Sequence, residues 1–225
     1  MADNVSISAG VGTSIATDDV SGIHYQRVKL VNGALDAADP IPGDSTNGLD
    51  VDVTRIQAGE NHLGEVGGRT RVISATLTRP ADTNAYAAGD AVTDSTSSPS
   101  QITFSNAARI NNGSGVIVSA TLIDSVNAGT KGQFELWLFD ASVTPNNDNA
   151  AFAPSDADAA KAIGVITFGA NSPGSNNAIY PAGPLSIAFQ CSGGIANIFG
   201  LLVVRNAYTP TSGEQFTIRL GIIQD

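Results

Sequence analysis

From residue 69 onward the chain alternates between short aliphatic, β-branched or aromatic runs and clusters of Gly, Pro, Asn and Ser. Side chains that switch faces every residue over five to nine positions make a strand with one buried face. RVISATLTR (71–79), QITFSNAAR (101–109), GVIVSATLIDSV (115–126) and QFELWLFDA (133–141) read this way. So do AIGVITFG (162–169), PLSIAFQC (184–191), NIFGLLVVRNA (197–207) and EQFTIRLGIIQ (214–224). Eight such segments with turn residues between them predict an all-β fold, a jelly-roll-like β-sandwich built from two sheets.

The N-terminal part of the chain, 1–66, has a different texture. Long polar, Gly- and Asp-rich connections such as DAADPIPGDSTNG separate two strand signals, HYQRVKLV (24–31) and LDVDVTRI (49–56). In the first, Tyr25, Arg27, Lys29 and Val31 share one face, and Gln26, Val28 and Leu30 the other; in the second, Leu49, Val51 and Val53 oppose Asp50, Asp52 and Thr54. Two short strands bury too little surface to stand alone. The division expected is therefore an extended N-terminal arm or attachment segment, 1–66, and a sandwich domain, 67–225. Two fates for the arm are open: it lies on another subunit, or it pairs with its own sandwich. If it meets a partner, Tyr25, Arg27, Lys29 and Val31 are the contact residues.

Between the strands at 133–141 and 162–169 lies a stretch rich in Asp and Asn, TPNNDNAAFAPSDAD. Ser155 as N-cap and Asp158 at the third helical position make a capping box, with Asp156 also near the positive end of a short helix over 155–162. The remaining Asn and Asp read as turn formers. A calcium loop would require oxygens at alternating positions, a central Gly and a closing bidentate Glu, and the stretch lacks the last two.

Composition narrows the function classes. Charged residues are 14% of the 225, and 21 acids against 11 bases give a net charge of −10. An acidic surface repels phosphate backbones, and the densest basic spot is Arg69-Thr70-Arg71, so nucleic acid is not the expected partner. The arm, 1–66, holds ten of the acids and three of the bases. No run of 18 apolar residues spans a membrane, and MADNVSISAG lacks the features of a secretory leader. The single cysteine, Cys191, permits no intrachain disulfide and reads as a small buried residue.

Catalytic patterns are missing. His24 and His62 both fall in the arm, away from any nucleophile elbow. GVGTS (10–14) lacks the ending of a phosphate loop. Glu135 and Asp140 lie on opposite faces of one strand and cannot converge as a carboxylate pair. No catalytic residue, metal ligand or cofactor is assigned. Trp137, beside Glu135, offers one alternative, a sugar-stacking platform supported by Tyr86, Tyr180 and Tyr208.

Two stretches carry a resemblance. HYQRVKLVNGALDAADPIPGDSTNGLDVDVTRI (24–56) resembles an N-terminal segment of structural proteins of tailed bacteriophages. RVISATLTRPADTNAYAAGDAVTDS, GSGVIVSATLIDSV, FELWLFDA, TPNNDNAAFAPSDADAA and GLLVVRNAYTPTSGEQFTIRLGIIQD are similar to a phage virion protein family without enzymatic activity. The resemblance implies a capsid decoration (cement) protein: a homotrimer, made in the bacterial host cytoplasm, that binds the major capsid protein or other virion proteins on the outer capsid surface. Head-fibre, neck and tail-associated virion proteins, and a receptor-binding jelly roll, are the alternatives it leaves.

Overall fold

The computed structural model describes residues 17–26, 43–44, 48–49, 68–127, 130–169 and 171–225. The chain divides into two units, Met1–His62 and Leu63–Asp225.

In the first unit, β1 (Thr17–Val20) and β2 (Ile23–Gln26) form an antiparallel hairpin. Its two-residue turn places Ser21 at φ 55° and Gly22 at φ 82°, the doubly left-handed geometry that matches strand twist. β3 (Gly43–Asp44) pairs with β4 (Gly48–Leu49). Both sequence-expected strands are thus seen only at their starts; residues 27–31 and 50–56 lie outside the described residues.

The second unit is a β-sandwich of two antiparallel sheets. Its elements are β5 (Arg69–Thr78), β6 (Ala91–Val92), β7 (Ile102–Phe104), β8 (Ser114–Asp124), β9 (Phe134–Phe139), α1 (Asp156–Ala159) and β10 (Ala162–Phe168). β11 (Ser172–Pro173), β12 (Ala178–Ala182), β13 (Ile187–Gln190), β14 (Ile198–Val204) and β15 (Gln215–Gln224) follow. One sheet runs β10-β9-β14-β6, with β7 also on β14; the other runs β11-β12-β8-β15-β5, with β13 also on β8.

All eight expected sandwich strands are present, some trimmed. The 101–109 strand stops at Phe104, since Asn106 turns left-handed (φ 56°) and the chain dives to bury Ala107 and Ala108. The expected helix keeps only one turn, Asp156–Ala159, because strand pairing claims Ala162. Its cap is as expected: Ser155 Oγ accepts from the Asp158 amide at 3.1 Å. β12 contains Pro181, a residue that argues against a strand in sequence. It is tolerated because β12 pairs with β8 on one side, while β11 covers only Ala178 and Ile179 on the other.

The inner faces interdigitate. Ile73, Leu77, Ile117, Leu122, Phe216, Ile218, Leu220 and Ile222 meet Phe134, Leu136, Leu138, Ile166, Phe168, Leu202 and Val204. Phe134 centres an aromatic knot, edge-on to Tyr180 (5.6 Å) and Tyr208 (5.8 Å) and tilted against Phe216 (5.0 Å). Cys191 lies in this core.

The outer faces differ. On the five-stranded sheet the 141–154 excursion folds back to make a second cluster of Phe139, Val143, Phe199 and Leu201, with Trp137, Phe152 and Ile195 against it. β14 is consequently buried along its whole length, which accounts for its unbroken apolar run. On the six-stranded sheet the outward row stays open: Thr70, Val72, Ser74, Thr76 and Thr78 of β5, and Gln215, Thr217, Arg219, Gly221 and Ile223 of β15.

Candidate functional site

Three features of the sandwich gather chemistry, and each is built by strand ends rather than by a motif. The first anchors the excursion. Asp148 receives three donors: Tyr86 Oη at 2.6 Å and the Thr93 amide at 2.9 Å on Oδ1, and Arg79 Nη2 at 3.1 Å on Oδ2. Arg79 Nε also donates to Tyr86 Oη. Backbone bonds extend the seam, with Asn149 N donating to Ala91 O (3.0 Å) and Phe152 N to Gly89 O (2.9 Å). Sequence reasoning assigned Asp148 to a surface turn; the structure corrects this, since Asp148 is 5% exposed and ion-paired to a 2%-exposed Arg79. Asp158, by contrast, does the capping work expected of it. Lys161 donates to its carboxylate at 2.8 Å and holds its pKa below the usual range, with the Thr144 amide and Ser155 assisting.

The second is a buried pair of carboxylates. Asp124 ends β8 and Glu214 precedes β15, and antiparallel pairing brings these strand ends together. They are 3% and 2% exposed. Burial, followed by a hydrogen bond to Asp124 and that residue's charge, pushes the Glu214 carboxyl up to about 8. Lys131 Nζ lies 3.7 Å from Asp124, and the Thr211 amide donates to Glu214 at 2.9 Å. A carboxyl pKa displaced like that of Glu214 marks an acid–base catalyst when it faces a cleft. Neither carboxylate lines the two hollows described below, so the pair has no route to a substrate through them.

The third is a groove of about 410 Å3 between the outer edge of β5 and the stretch carrying β7, lined by Ala75, Leu77, Asp94, Gln101 and Ile102 among others. A second hollow of about 390 Å3 lies at Tyr86, Thr130 and Tyr208. Among the described residues no group of three or more His, Cys, Asp or Glu is placed to hold a metal ion, and no helix is long and apolar enough to cross a membrane.

Of the residues expected to meet a partner, Tyr25 stands on β2, 55% exposed and in register with Asp18. Arg27, Lys29 and Val31 lie outside the described residues, as does His62. Trp137 points outward from β9, half-buried, its ring 5.2 Å from that of Phe152. Tyr86, Tyr180 and Tyr208 are buried, so they present no stacking faces beside it. Glu135 is held by Arg205, whose Nε donates at 2.8 Å. The Asp148 anchor and the Glu214 pair were missed because their partners lie tens of residues away in the sequence; the one signal, for the pair alone, was an Asp and a Glu at the ends of otherwise apolar strands.

No family model matches this chain, and no curated protein matches it. Among solved structures, it is similar to a chain of the Cyanophage Pam1 capsid asymmetric unit at 15% identity, over 78% of this chain and 98% of that one, with a TM-score of 0.34. It is also similar to a chain of Desmodium yellow mottle tymovirus at 12% identity, over 78% and 92% of the two chains, with a TM-score of 0.23. Likenesses this loose carry no argument about function.

Proposed function

We propose that the chain is a non-enzymatic virion structural protein of a tailed bacteriophage, a decoration or cement protein that binds and stabilises the outer capsid surface. Residues 1–66 serve as the attachment arm, with Tyr25, Arg27, Lys29 and Val31 as its contact row. Residues 67–225 form the sandwich, and its strand order supports a jelly roll. The principal strands line up as β5, β15, β8 and β12 in one sheet and β7, β14, β9 and β10 in the other, so that most neighbours in a sheet are not neighbours in the chain.

One observation carries the assembly reading. In a chain of net charge −10, the outer face of the six-stranded sheet has a single charged side chain, Arg219, among the Thr, Ser, Val and Ile of β5, β8, β12 and β15. Val72, Ile179 and Ile223 are exposed there. A face of this kind is suited to being covered by protein. The sequence resemblance to phage structural proteins supplies the particle, and the major capsid protein is the partner it names. Synthesis in the host cytoplasm and a trimer about a capsid axis complete the proposal.

Imaging of purified particles tests it. Density for this chain on the shell, at hundreds of copies per particle, is the expected result. A dozen copies or fewer at the neck or tail refutes the decoration role, and absence from the particle refutes the virion assignment.

A further inference from the structure

This inference rests on the assembly reading and names a site within it. β5 ends its sheet, and among the described residues no strand pairs with its far side. Among those residues, its ten positions present a row of backbone N–H and C=O groups on that side without ladder partners. Along its second half the devices that blunt an edge are missing: residues 72–78 carry no Pro, no charged side chain and no shift in register with β15. The groove described above runs along its second half, with Ala75, the smallest side chain of the inward row, exposed to it.

We propose that this groove receives residues 49–56 (LDVDVTRI) of a neighbouring copy as one more strand of the six-stranded sheet. The alternation fits. Leu49, Val51 and Val53 turned inward extend the row of Ile73, Ala75 and Leu77, and Asp50 and Asp52 then face outward. On that outer face Arg219 stands opposite Ser74, one strand away; Arg69 and Arg71, at the start of β5, belong to the inward row and are exposed. The sign of the charge also fits, a basic edge for an acidic arm. Three of the eight bases in 67–225 lie on β5 and β15, whereas the arm, 1–66, carries ten acids and three bases. Reach is sufficient, because the 13 residues from Ile56 to Arg69 span up to roughly 45 Å when extended. Copies gathered about an axis can therefore each lend this segment to the next.

Sedimentation velocity on the full chain, over a hundredfold concentration range, tests the proposal. The unmodified chain associates. Ala75→Arg, which fills the groove, and Val51→Asp, which puts a charge into it, each weaken association about tenfold or more. A synthetic peptide of residues 47–58 competes with association. Val51 lies outside the sandwich sequence, so its loss of association stands even if Ala75→Arg impairs folding. A monomeric unmodified chain, or association indifferent to both substitutions, overturns the proposal. Neither result touches the virion assignment, which fails separately if the chain is missing from particles.

Discussion

Asp148→Ala puts the excursion's anchor to the test. The substitution removes the acceptor of three hydrogen bonds and leaves the Arg79 guanidinium buried; among the described residues its remaining ion pair is with the partly exposed Asp82 at 3.4 Å. Removing one partner of a buried ion pair costs about 3–5 kcal/mol. In a unit of this size about 2–4 °C of midpoint is lost per kcal/mol, so the thermal midpoint falls by roughly 6–20 °C. Differential scanning calorimetry measures the shift, and limited proteolysis between residues 141 and 154 reports whether the excursion loosens first. The paired variant Arg79→Met with Asp148→Leu loses both charges together and is less destabilised than the sum of its single substitutions. A midpoint lowered by less than about 2 °C in Asp148→Ala, below about 1 kcal/mol, would refute the claim that this ion pair holds the excursion down. A paired variant as unstable as the sum of the two singles would refute it equally.

Three further outcomes are expected. Glu214 binds its proton more tightly folded than unfolded, so stability declines as pH rises from near 4.5 to about 8 and levels off above; Glu214→Gln flattens that decline in melts run from pH 5 to pH 9. Asp124, Lys131, Arg79, Thr211 and the Tyr208 hydroxyl surround this group and set the slope. A methyl added at Gly200 would sit 2.9 Å from Leu136 Cδ1 and 3.1 Å from Phe104 Cε2, so Gly200→Ala costs about 1–3 kcal/mol in urea unfolding. Cys191 is buried and its thiol pKa is raised by desolvation, so a thiol reagent labels it only after denaturation.

The eight longer strands were legible because each buries one face, and burial on one face writes itself as alternation. The capped turn at Ser155 was legible because a cap is local. β6 has two residues and shows no period at all, and Pro181 in β12 argued against a strand that a neighbour on one side alone can tolerate. The parity of Trp137 was readable, since Glu135 and Phe139 share its face. What covers that face was not, because Val143 and Phe152 reach it through a chain path with no period. The same limit applied to charge. Arg79 and Asp148 are 69 residues apart, and nothing in either neighbourhood announces the other.

The excursion has a practical consequence for anyone splicing foreign peptides into this protein. Its string of Asn, Asp, Ala and Pro invites use as a display loop, yet it acts as a lid over Trp137, Phe139, Phe199 and Leu201. Cutting it out would bare four large apolar side chains and invite clumping during expression. The Ser192–Gly194 corner, where two left-handed glycines leave open space in place of side chains, is the better place for a graft.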